Sequence, residues 1–150
     1  MDGGTTQGVV IKPGNYEEGK QYPVLIYYYE FFSQRLHEFN IPRVNHRPSF
    51  PVWASDGYLI FLPDVRFDIG LPGYSATKHL VPGVQKLVDL GWADPNALGL
   101  HGHSWSGYQT AQVVTQTNIF KAAIAGAPVS NMTSAYGGIR WTSGLSRAFQ

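Results

Sequence analysis

Ser104 lies in the run Leu98-Gly99-Leu100-His101-Gly102-His103-Ser104-Trp105-Ser106-Gly107-Tyr108. An apolar, strand-like segment leads into it and a helix-like segment leads out. A serine on such a sharp turn projects its hydroxyl above the strand ends, where it can attack a carbonyl. The amides that open the following helix, with the positive end of the helix dipole, suit the oxyanion that attack creates. The turn needs small residues two places before and two places after the serine. Gly102 meets the first demand. Ser106 stands at the second, with Gly107 one place later. Gly-x-Ser also occurs at Gly73-Tyr74-Ser75 and Gly144-Leu145-Ser146, but only Ser104 sits between a strand and a helix. The plainer role for Ser104 is that of a helix N-cap.

A serine nucleophile needs a base. No Asp, Glu or His follows Ser104, and Lys121, Arg140 and Arg147 are the only charged residues after it. The histidines are His37, His46, His79, His101 and His103. His101 and His103 are tethered to the turn that holds Ser104, which makes reaching its oxygen difficult. His37 and His46 fall on a long polar loop. His101-x-His103 has no third ligand nearby and no cysteine to help it, so a structural role is favoured over metal binding. Asp64, Arg66 and Asp68 read as a loop ion pair with turn caps. Tyr27 to Tyr29 with Phe31 and Phe32 read mainly as core, with one tyrosine reaching the site.

The elements that must position Ser104 follow from pattern. Gly8 to Lys12 is a short β run, and Tyr22 to Tyr29 is the strongest strand signal, apolar throughout as a strand covered on both faces would be. Residues 30–50 read as a loop. Tyr58 to Leu62 is a buried strand. A helix capped by Ser75 is expected from about Ala76 to Leu90, with a stripe of Leu80, Val84, Leu87, Val88 and Leu90, and with Pro82 implying a kink or a late start. Asp94-Pro95-Asn96 is a turn and Ala97 to His101 a short strand. Trp105 to Thr117 is a helix, and Ala122 to Ala127 a last buried strand. Strands alternating with helices imply right-handed crossovers and an α/β fold with a mostly parallel sheet. The tail from Thr133 to Gln150 has no clear period and ends without a stop signal, as in a chain cut in mid-domain.

The bulk numbers narrow the classes. A chain of 150 residues is one domain by length and can bury a core. Charged residues make up 14%, well below the usual quarter, and the net charge is +1, so nothing points to nucleic acid or to a membrane surface. Cysteine is absent, which removes disulfides and thiol chemistry. Met1 to Thr6 shows no signal-peptide pattern, and no apolar run approaches membrane-spanning length.

From about residue 8 onward the sequence resembles the catalytic domain of the prolyl oligopeptidase family of serine peptidases (S9). The resemblance is carried by Gly8-Val9-Val10-Ile11-Lys12-Pro13, by Tyr22-Pro23-Val24-Leu25-Ile26-Tyr27-Tyr28-Tyr29-Glu30, by Gly102 to Tyr108, and by Phe120-Lys121-Ala122-Ala123 through Ala127-Pro128-Val129-Ser130. It implies an α/β-hydrolase fold with helices on both sheet faces and peptide hydrolysis through an acyl-enzyme on Ser104, without a cofactor or metal. It implies an oxyanion hole of the Trp105 amide and a tyrosine hydroxyl, with Tyr28 matching best by spacing and Tyr29 as the alternative. It places Val129, Met132 and Tyr136 along the substrate pocket. In the family the acid and histidine follow the nucleophile, so residues 1–150 correspond to the N-terminal part of a catalytic domain, lacking its C-terminal part and the family's β-propeller. Two other readings stay open: a hydrolase of small esters on the same fold, and a non-catalytic fragment. A truncated sheet would also expose an edge and favour self-association.

Overall fold

A computed structural model of the chain describes residues 5–145. Five strands form the main sheet: β1 (Gly8–Ile11), β2 (Tyr22–Tyr28), β3 (Leu59–Pro63), β4 (Ala93–His103) and β5 (Ala122–Gly126). Their order is β1-β3-β2-β4-β5. Strands β3, β2, β4 and β5 run parallel, and β1 pairs antiparallel with β3. This is a partial α/β-hydrolase fold. Helices α1 (Phe50–Ser55), α2 (Pro72–Asp89), α3 (Trp105–Val113) and α4 (Met132–Tyr136) complete it, with a small hairpin of β6 (Ile139–Arg140) and β7 (Gly144–Leu145).

Alternation along β2 builds two cores. Tyr22, Val24, Ile26 and Tyr28 face one side with Leu59 and Phe61, against Leu80, Val84 and Leu87 of α2 and Val113 of α3. Leu25 and Tyr27 face the other side with Ile60, Leu62, and Phe50 and Ala54 of α1. Each fully buried aliphatic or aromatic side chain contributes about 1.5–3 kcal/mol. The continuous apolar reading of β2 is therefore what a central parallel strand requires.

Several boundaries differ from the sequence-based expectation. Helix α1 starts at Phe50, the last residue of the expected loop, and runs through residues for which no element was expected; Pro51 sits in its first turn, where the missing amide costs nothing. Helix α2 begins at Pro72 for the same reason and passes through Pro82. Ser75 is thus inside the helix. Its hydroxyl donates to the Leu71 carbonyl and accepts from the Asp68 amide. Leu90, expected in the buried stripe, is the C-cap and is exposed. Helix α3 ends at Val113, short of Thr117.

The Asp94-Pro95-Asn96 turn is present within β4 as an irregularity. Tyr22 pairs with Ala93 and Val24 with Leu98, so the turn residues bulge out, closed by the Asn96 amide on the Asp94 carboxylate at 2.8 Å. Strand β5 differs most. It was expected to be buried, yet Ala122 to Ala125 are exposed and Ile124 keeps 54% of its surface. It pairs with β4 alone, and among the described residues no further strand pairs with its outer edge. Ser146 of the third Gly-x-Ser triplet and the end of the aperiodic tail lie outside the described residues, as do Met1 to Gly4.

Candidate active site

Strand β4 runs straight into α3, and Ser104 is the single residue between them. Its backbone has φ 60° and ψ −113°. A non-glycine residue in this region is strained by about 1–3 kcal/mol, and such strain persists only where the surroundings impose it. Three contacts do so. The Ser104 amide donates to the Gly126 carbonyl at the end of β5, at 2.8 Å. The Ser106 hydroxyl accepts from the His103 amide at 2.8 Å and donates to the His103 carbonyl at 2.9 Å. The Tyr108 amide donates to the Ser104 carbonyl as the first turn of α3 closes. Ala127, directly opposite on the β5 exit, also has a positive φ of 40°.

The glycines explain the close approach. A Cβ on Gly102 would stand 2.1 Å from the Ser106 carbonyl oxygen and 2.4 Å from Thr110 Oγ1. A Cβ on Gly107 would stand 2.7 Å from the Gly126 carbonyl oxygen. Neither Gly102 nor Gly107 can carry a side chain, whereas Ser106 uses its small hydroxyl to tie the turn. Ser106 completely buried is compatible with the turn, not a defect in it.

Tyr28 does not stand where the sequence placed it. Its side chain is fully buried, and its hydroxyl donates to the Ser106 carbonyl at 3.1 Å and meets Thr110 Oγ1 at 2.9 Å. With its proton given to Ser106, it accepts from Thr110. Burial pushes the phenol well above its usual range. Tyr28 is thus a pin beneath α3, and its hydroxyl points away from the front of the turn. Alternation along β2 sends Tyr28 to the α3 side. Tyr29 follows immediately, half-exposed at the carboxyl end of β2, where Tyr28 pairs with Gly102.

The loop after β2 is anchored by a buried carboxylate. Asp64 Oδ1 accepts from the Phe32 amide at 2.6 Å and the Ser33 amide at 2.9 Å, and Oδ2 accepts from the Ser33 hydroxyl. The Val65 amide donates to the Glu30 carbonyl at 2.7 Å. The expected loop ion pair with Arg66 is not formed among the described residues. Asp64 caps a single 3-10 turn at Ser33–Arg35, and Asp68 pairs with Lys78 across solvent at 3.7 Å. The turn cap expected of Asp64 is thus formed, on the loop after β2.

The histidines do not assemble into a base for Ser104. The His103 ring stacks on the His46 ring with centroids 4.1 Å apart. His101 meets Tyr27 edge-on at 5.4 Å. Burial, then the neighbouring charge of His103 and His46, lowers the His101 pKa. The His79 ring bonds the Ser75 carbonyl inside α2, and His37 is exposed on the loop. No group of three metal-ligating side chains occurs among the described residues. Val129 and Met132 are half-buried and Tyr136 is exposed, on the segment that leaves β5 and enters α4. Trp105 packs edge-on against Phe67 at 6.1 Å at the head of α3.

Comparison with known proteins gives this geometry its setting. The model of the prolyl oligopeptidase family (peptidase S9) matches residues 45–146. The chain belongs to the prolyl oligopeptidase family. Within it, mouse dipeptidyl peptidase 8 is 30% identical over 146 residues, which is 85% of this chain and 16% of that protein. The structure of Porphyromonas gingivalis dipeptidyl peptidase 4 superposes with TM-score 0.63 at 25% identity, over 84% of this chain and 19% of that one. Pyrococcus horikoshii acylaminoacyl peptidase shares the fold with TM-score 0.65 at 21% identity, covering 89% and 23%. The chain therefore spans about a fifth of the length of these family members.

Proposed function

We propose that this chain is the nucleophile-bearing N-terminal part of an S9 peptidase catalytic domain, and that Ser104 attacks the carbonyl of a short peptide. The observation that carries the proposal is the backbone of Ser104, held at φ 60° between β4 and α3. The serine oxygen adds to the scissile carbonyl carbon, and its proton passes to a base. The C–N bond then breaks, the amine leaves with a proton, and water releases the acyl group. The Trp105 amide and the Tyr29 hydroxyl are the proposed oxyanion donors, with Tyr29 replacing Tyr28 because the latter is bonded within the core. Val129, Met132 and Tyr136 are the proposed pocket residues, on the segment that continues from the Gly126 carbonyl behind Ser104.

The acid and histidine are proposed to come from family sequence beyond residue 150. The exposed outer side of β5 supports this, since it offers an apolar surface and an unpaired edge for further elements. The test is hydrolysis of short peptide amides and matched esters by the protein at its full natural length. Ser104→Ala should lose at least about 10³-fold in kcat/KM. Undiminished hydrolysis by that variant would remove Ser104 from the chemistry. Ester cleavage without amide cleavage would favour the esterase reading.

A further inference from the structure

The loop between β2 and α1 carries two arginines, Arg43 and Arg47, that line an open cavity. Residues 35–51 wall this cavity of about 260 Å³. Phe39, Ile41 and Phe50 supply apolar wall, and Arg43, Arg47 and Ser49 supply polar wall. Of the loop's other charges, Arg35 is already paired with Glu38 at 3.5 Å. Arg43 makes no ion pair with any described residue, and Arg47 reaches the Tyr27 side chain rather than a carboxylate. The Ser49 hydroxyl is buried at the cavity wall with no hydrogen-bond partner. The cavity thus carries two uncompensated guanidinium charges and one unsatisfied hydroxyl.

The cavity is coupled to the nucleophile turn. His46, next to Arg47, stacks on His103, the residue before Ser104. Tyr27 of β2, near which Arg47 lies, packs edge-on against His101, two residues before His103 on β4. A ligand held by Arg43 and Arg47 therefore lies on the side of the sheet from which this loop approaches Ser104. Guanidinium groups hold carboxylates in pairs of parallel hydrogen bonds, and the apolar wall suits a short methylene stem.

We propose that this cavity binds a carboxylate of the peptide substrate, with Arg43 as its principal ligand and Arg47 as its second. This deepens the peptidase reading and rests on it for the nature of the substrate. The carboxylate is either an acidic side chain or a peptide's C-terminus, and three ligands separate these sources: an acetylated, amidated peptide containing Glu, its Gln counterpart, and the Gln peptide with a free C-terminus. Binding to the full-length protein is measured by calorimetry, so turnover is not needed for the readout. The Glu peptide or the free-acid peptide should bind about tenfold or more tightly than the neutral one, as a charge-assisted bond allows. The preference should vanish in Arg43→Ala, persist in part in Arg43→Lys, and weaken with salt. Equal affinity for all three peptides, or a preference that survives Arg43→Ala in a variant with an unchanged melting curve, overturns the proposal. Labelling of Ser104 by a phosphonate probe, done in parallel, separates the two readings: a carboxylate preference without labelling spares the cavity and removes the nucleophile, and labelling without preference does the reverse.

Discussion

The hydroxyl of Tyr28 donates to the carbonyl of Ser106 at 3.1 Å, joining the end of β2 to the first turn of α3. This bond crosses beneath Ser104 and fixes how far α3 stands from the sheet. It makes Tyr28 part of the support beneath the turn.

The two tyrosines should therefore behave differently. Tyr28→Phe should cost about 1–2 kcal/mol of stability, since Thr110 and Ser106 lose a buried partner. Tyr29→Phe should leave denaturant midpoints within error and lower peptide turnover by about 10²-fold or more, as loss of an oxyanion donor does. Urea unfolding of both variants, with kcat for each, checks the split. A destabilised Tyr29→Phe with full turnover would reverse the assignment.

Gly102→Ala should be far more damaging than either. Its methyl would lie 2.1 Å from the Ser106 carbonyl oxygen, an atom of the backbone that has no free direction to move. Overpacking of this kind should cost about 3 kcal/mol or more. Circular dichroism melting of Gly102→Ala beside Gly14→Ala, whose added methyl meets nothing within 4 Å, provides the comparison.

Asp64→Ala should release the loop that follows β2. The Phe32 and Ser33 amides would lose their acceptor, at a cost of about 2–4 kcal/mol for the pair. Hydrogen exchange should speed up at residues 30–35 before it does in β3. Unchanged protection there would show that the Glu30 to Val65 bond suffices on its own.

Stability should fall on acidification. The His101 pKa is lowered in the folded chain, so below the ordinary imidazole value of about 6.5 the unfolded chain binds more protons. The contribution is fully present above that value and is lost as pH drops through the folded value. Melting temperatures at pH 7.5, 6.0 and 5.0 should decline, and His101→Gln should flatten the decline. An identical slope in that variant would assign the effect to other groups.

How much the sequence disclosed varied with the physical signal available. Strands β2 and β3 were legible because both faces are buried and their residues are β-branched or aromatic. The Ser104 turn was legible from strand, glycine and helix in succession. Helix α1 was not, because its six residues form only when Phe50 and Ala54 pack on the sheet. The exposure of β5 was not, because burial of an apolar strand depends on what lies beside it. Tyr28 and Tyr29 could not be separated by spacing alone, since their roles differ by which face of β2 each occupies. The Ser106 departure was visible, but its meaning came from the two bonds to His103.

The central claim is that Ser104 is an activated nucleophile. Peptide mapping by mass spectrometry after treatment of the full-length protein with a fluorophosphonate tests it most directly. The account predicts one adduct, on Ser104, absent from Ser104→Ala. No adduct, or an adduct on another serine that persists in that variant, would contradict it.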